Sequence, residues 1–193
     1  MIKPDDHLPA SAPRFGNALT RFVGRMILRL MGYKIEGRFA NEPKMILIAA
    51  PHTSAWDLAL ALGTIMALGV RINFMMKREA FKFPLGGLFK ALGGVPVNRA
   101  NPKRTVIQIL RCFRDNDKFW LAILPEGTRK PVKVWKSGFE RIAKKAGVPV
   151  FIMGVDSRTK TLHLDRLARP EESVEDLRLY TKDRFYGLRP ENN

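Results

Sequence analysis

The stretch Met45-Ile46-Leu47-Ile48-Ala49-Ala50-Pro51-His52-Thr53-Ser54-Ala55-Trp56-Asp57 decides how this chain is read. Its first six residues are an unbroken apolar run, the pattern of a strand buried on both faces. Pro51 ends regular pairing and biases Ala50 toward an extended conformation. A second apolar run over 56–68 is long enough for a helix. The segment therefore predicts strand, corner, helix, with His52 in the corner, where α/β sheets place their ligands.

The same alternation runs outward in both directions. Strand-like segments are predicted at 71–76, 95–98, 119–124, 148–155 and 161–164. Helices are predicted at 85–92, 103–113, 139–145 and 174–181, with Gly93-Gly94 and Gly147 as stops. This order predicts an α/β fold: one layered domain with a largely parallel or mixed central sheet flanked by helices, plus an N-terminal amphipathic helix. That helix is marked by Phe15, Ala18, Leu19, Phe22, Val23, Met26, Ile27 and Leu30 at three- and four-residue steps, beside Arg21, Arg25 and Arg29, with Gly32 as its stop. Its apolar face suits a lipid interface or packing on the domain. The organisation expected is a flexible polar N-terminus over 1–13, an amphipathic membrane-surface helix over 14–33 and a catalytic-type domain over 34–193.

A chain of 193 residues that is 46% hydrophobic can bury one substantial core. Its 34 Lys and Arg against 18 Asp and Glu give a net charge of +16, which calls for an anionic partner. Three Tyr and three Trp leave little for a base-stacking platform, and no zinc-type cluster or glycine-rich phosphate loop is visible, so lipid or phosphate leads over nucleic acid. No signal peptide and no uncharged apolar run of about 18 residues are visible, so the expectation is a peripheral protein on a membrane. The single cysteine, Cys112, sits in the apolar rhythm of a helix, which predicts a buried thiol, and it excludes a disulfide within the chain.

Two constellations carry chemistry. With His52 in the corner and Asp57 in the first helical turn, a carboxylate can fix the imidazole tautomer and leave the other nitrogen as a base. Ser54-Ala55-Trp56-Asp57 also has capping-box spacing, which gives Asp57 a second reading as an acceptor for backbone donors. The second constellation opens where the apolar run 119–124 ends, at Pro125-Glu126-Gly127-Thr128-Arg129. Arg129 offers a planar fork for a phosphate, Gly127 allows close backbone approach, and Glu126 is placed either to hold the arginine or to meet a substrate hydroxyl.

Together these residues resemble the lysophosphatidic acid acyltransferase family of glycerolipid acyltransferases. Its first block is a histidine, four residues and an aspartate, met by His52 and Asp57, with Pro51 where the family often has Asn. Its second resembles Gly94-Val95-Pro96-Val97-Asn98-Arg99, its third Pro125-Glu126-Gly127-Thr128-Arg129, and its fourth, weakly, Val148-Pro149-Val150. The resemblance implies transfer of a fatty acyl group from acyl-CoA or acyl carrier protein to a lysophospholipid hydroxyl, first of all that of 1-acylglycerol-3-phosphate. It implies His52 as general base oriented by Asp57, a phosphate site of Arg99, Glu126, Gly127, Thr128 and Arg129, and neither metal nor other cofactor. The implied partners are the lyso-lipid, the thioester donor and an anionic membrane surface at the cytoplasmic face of the cell membrane. Two alternatives stay open: a related acyltransferase acting on another lyso-lipid, such as an amino-acid-containing one, and a non-catalytic protein that docks on anionic membranes.

Overall fold

The computed structural model describes residues 2–82, 84–98 and 101–189. Arg99, expected in the phosphate site, lies outside the described residues. In chain order the elements are α1 (Pro4–His7), α2 (Ala18–Met31), β1 (Lys34–Gly37), β2 (Lys44–Ala49), α3 (Trp56–Leu68), β3 (Ile72–Lys77), α4 (Leu85–Ala91), β4 (Gly94–Val97), α5 (Pro102–Asp115), β5 (Phe119–Ile123), α6 (Gly138–Ala146), β6 (Val150–Asp156), β7 (Thr161–Leu167) and α7 (Val174–Arg184). The seven strands form one sheet in the order β1-β7-β6-β2-β5-β3-β4. The five from β6 to β4 are mutually parallel, while β7 runs antiparallel to β6 and β1 runs alongside β7. The expected mixed sheet flanked by helices is the sheet observed.

β2 lies between β6 and β5, and its side chains alternate between two cores. Met45 and Leu47 join Leu28, Leu60, Trp120 and Phe151 under α2 and α3. Ile46 and Ile48 join Ile109, Phe139, Ile152 and Leu177 under α5, α6 and α7. Burial on both faces is why the sequence there is apolar without interruption.

α2 begins with a capping box between Asn17 and Thr20 and stops at Gly32, whose φ of 74° is left-handed. It packs on α3 through Gly24, where an added Cβ would collide with the backbone nitrogen of Ala67, and through Gly63, where one would stand 2.8 Å from Ile27 Cγ2. Gly24 facing residue 67 and Ile27 facing residue 63 make the pair antiparallel, so the Leu30 end of α2 lies beside the N-terminal turn of α3.

The segment 1–13, expected to be poorly ordered, is instead packed over the part described. Leu8 and Ala12 are 2% and 0% exposed. The N–H of Phe39 donates to His7 O at 3.0 Å and that of Arg71 to Pro13 O at 2.8 Å. Prolines there shape turns, and two small apolar anchors hold the segment down.

Candidate functional site

The register that pairs Ile48 with Ile123 brings the loops after β2 and β5 side by side. Beyond Ala49 the Ala50–Pro51 peptide is cis, and His52 follows. His52 Nδ1 lies 2.8 Å from Asp57 Oδ2. The same oxygen accepts the N–H groups of Thr53 and Ser54, both at 2.9 Å. One carboxylate oxygen thus meets two backbone donors of the loop just before α3 and the His52 ring together. An ionised carboxylate only accepts, so the proton sits on Nδ1 and Nε2 is left to accept another.

Glu126 does not hold Arg129. Its Oε1 accepts the backbone N–H of His52 at 3.1 Å, which ties the β5 loop to the β2 loop. Its Oε2 is buried without a partner among the described residues. Gly127 turns with φ 65°, and the Lys136 side chain lies where a Cβ would be, with Nζ 2.7 Å from that position. Thr128 Oγ1 accepts the N–H of Lys130 at 3.3 Å. Thr128 and Arg129 are exposed. The structure thus brings His52, Asp57 and Glu126 together and leaves Arg129 on the surface.

Burial, above all, pushes the Glu126 carboxyl above its ordinary 4.5, with the Asp57 charge adding to it and the donors on Glu126 opposing it. The folded state then holds this proton more tightly than the unfolded chain does. Ionisation costs stability, and the cost grows as pH rises from the ordinary value through the raised one. Glu126→Gln keeps an acceptor for the His52 N–H and carries no charge. It is expected to melt above wild type at about pH 8 and to lose that margin toward about pH 4. Melting curves across this range check it; a variant melting below wild type at the alkaline end would show that the charge stabilises the loop.

His52 lines a cavity of about 700 Å³. One wall is Ala50, Pro51 and Thr53, a second is the loop carrying Lys130, Val132 and Trp135, and a third comes from α7 and the segment after it, with Arg178, Phe185 and Tyr186. Arg129 is not among its lining residues. Among the described residues, no group of three or more His, Cys, Asp or Glu side chains gathers as metal ligands would. Cys112, on α5, is only half-buried, and burial raises its thiol pKa.

The segment 185–189 packs against the site, a contact that the sequence did not announce. Phe185 packs where a Cβ on Gly154 would sit, and the N–H of Tyr186 donates to Val155 O at 2.9 Å. Arg158, held by Asp156 at 2.9 and 3.0 Å, lies over the Tyr186 ring at 3.5 Å. Gly187 leaves no room for a Cβ against the Thr53 side chain, and the N–H of Arg189 donates to Thr53 Oγ1 at 3.1 Å. This strap latches the residue next to His52. A glycine between Tyr186 and Leu188 is its only trace in the sequence.

A His–Asp pair thus sits at the carboxyl edge of the sheet, beside a cationic cavity, where a positioned base can work on a bound substrate. The family model described as Acyltransferase matches residues 33–155, and the chain belongs to that family. It is 30% identical over 168 residues to a probable 1-acyl-sn-glycerol-3-phosphate acyltransferase 5 of Arabidopsis thaliana, covering 77% of this chain and 43% of that protein. It is 29% identical over 145 residues to a 1-acyl-sn-glycerol-3-phosphate acyltransferase of Pseudomonas aeruginosa, covering 71% of this chain and 52% of that one. The chain thus spans about half the length of these curated relatives. The fold is similar to the crystal structure of the 1-acyl-sn-glycerophosphate (LPA) acyltransferase PlsC from Thermotoga maritima, with a TM-score of 0.60 at 22% identity over 86% of this chain and 74% of that one.

Proposed function

We propose that this chain transfers a fatty acyl group from a thioester to the free hydroxyl of a lysophospholipid, with 1-acylglycerol-3-phosphate as the first acceptor. The observation that carries the reading is His52, held at Nδ1 by Asp57 and lining a cavity large enough for a substrate. Nε2 takes the proton of the acceptor hydroxyl as its oxygen bonds to the thioester carbonyl carbon. The tetrahedral adduct then expels the thiolate, the C–S bond breaks, and the imidazolium returns the proton to sulfur. The names of the relatives, as 1-acyl-sn-glycerol-3-phosphate acyltransferases, support this acceptor.

The reaction takes place at a lipid surface. On α2, Leu28 is 1% exposed against α3, whereas Phe22 and Leu30 on the outer face are 60% and 81% exposed. Leu19, Val23 and Met26 complete that outer face, and Arg29 is exposed beside it. An apolar stripe turned away from the core and edged with arginine fits the interface of an anionic bilayer. The antiparallel pairing with α3 puts the Leu30 end next to exposed Trp56 and Leu58, so the stripe leads toward the His52–Asp57 loop. No described helix is long and apolar enough to cross a membrane.

The test is one experiment with two readouts. Purified chain is mixed with anionic phosphatidylglycerol vesicles carrying labelled lysophosphatidate, with acyl-CoA or acyl carrier protein as donor. Labelled phosphatidate and co-flotation of protein with vesicles are expected. Flotation without product from either donor would overturn the lysophosphatidate reading and leave another lyso-lipid or simple docking.

A further inference from the structure

The cavity beside His52 is more cationic than the capture of one phosphate monoester requires. Lys130, Lys133, Arg178 and Lys182 line it, and Glu126 is its one acidic side chain. Arg178 is held by Glu175 at 2.6 and 2.8 Å, which fixes its guanidinium in place and partly neutralises it. Among the described residues none of the three lysines enters an ion pair. Between these cations the lining is apolar or aromatic: Pro131, Val132, Trp135, Phe185 and Tyr186. An anionic head joined to a thin, largely uncharged arm would match that distribution.

This cavity shares Glu126 with the expected acceptor-phosphate site, but Gly127, Thr128 and Arg129 of that site do not line it. β6 and β5 flank β2 on opposite sides, and β4 is the far edge beyond β5. The cavity lies between the loop after β5 on one hand and α7 with the 185–189 strap on the other. Arg178, Lys182, Phe185 and Tyr186 also lie beyond the family-matched residues 33–155.

We propose that this cavity binds the acyl donor through its phosphopantetheine portion. Lys130, Lys133, Arg178 and Lys182 meet the phosphates, the apolar lining takes the arm, and the thioester is delivered to His52. The inference rests on the acyl-transfer reading above and adds to it the side from which the donor approaches. Both sources of phosphopantetheine, the free nucleotide thioester and the carrier protein, share this chemistry.

The test uses the whole chain with the double variant Lys133→Glu/Lys182→Glu, and Lys103→Glu/Arg111→Glu on α5 as a control of equal net charge. Binding of coenzyme A, measured by calorimetry without turnover, is expected to weaken roughly tenfold or more in the first and to hold in the control. In turnover, KM for acyl-CoA should rise by a similar factor, with KM for lysophosphatidate unmoved. The preference for acyl-CoA over phosphate-free acyl-pantetheine should shrink. A shift seen only with acyl carrier protein would support the same site and assign its phosphate to the carrier. Unchanged coenzyme A affinity together with unchanged KM for both donors would overturn the proposal. So would a rise in KM for lysophosphatidate alone, which would make the cavity the acceptor's. Wild type that binds coenzyme A but transfers nothing would sink the acyl-transfer reading while sparing the site.

Discussion

His52→Ala is expected to lower kcat for acyl transfer by about 10²–10⁴, the usual worth of a positioned general base, while leaving the melting temperature and vesicle flotation close to wild type. The separation follows from which atoms of His52 do what. The contact that ties the two loops together uses its backbone N–H, donated to Glu126, and alanine keeps that group. Removing the imidazole takes one donor from Asp57 Oδ2, and the N–H groups of Thr53 and Ser54 remain to satisfy it. Steady-state kinetics beside a thermal melt and a flotation assay decide the matter. A kcat within about threefold of wild type, in a folded variant, would remove the base from the mechanism.

Asp57→Asn is expected to damage both rate and fold. One carboxylate oxygen receives three donors: His52 Nδ1 and two backbone N–H groups. An amide of the same shape must turn its NH₂ toward donors or accept them all through a weaker, uncharged oxygen. The imidazole also loses the anion that fixes its tautomer and stabilises its protonated form, a loss worth as much as about 10⁴ in rate in a serine protease triad. Weakening these partly buried, charge-assisted hydrogen bonds should cost about 1–2 kcal/mol, or roughly 2–4 °C in Tm for a domain of this size. The two variants therefore separate by melting as much as by kinetics. If Asp57→Asn melts like wild type, the loop-holding role is absent; if its kcat is intact, the orienting role is.

What could be read from the sequence was whatever repeats locally. β2 showed itself because both its faces are buried, and α2 because its apolar residues recur at three- and four-residue steps up to Gly32, whose left-handed backbone ends it. β1 was missed: of Lys34–Gly37 only Ile35 points inward, and an edge strand that otherwise faces water carries no apolar run. The site divided the same way. His52 and Asp57 are five residues apart, so their meeting followed from one corner and one helical turn. Glu126 was placed at the site, but its partner proved to be the His52 backbone rather than Arg129, a contact 74 residues away in the chain that only the strand order creates. The α7 wall and the strap were invisible, because nothing in a local pattern says which distant loop a glycine will touch.

The strap also sets an order in time. Thr53 and the N–H that latches it are 136 residues apart. At about 5–20 residues per second of synthesis, roughly 7–27 s pass between their emergence from a ribosome. Over that interval the nascent chain carries His52 and Asp57 but not the latch on their loop. Early sequence supplies the His–Asp loop, and late sequence closes the cavity beside it.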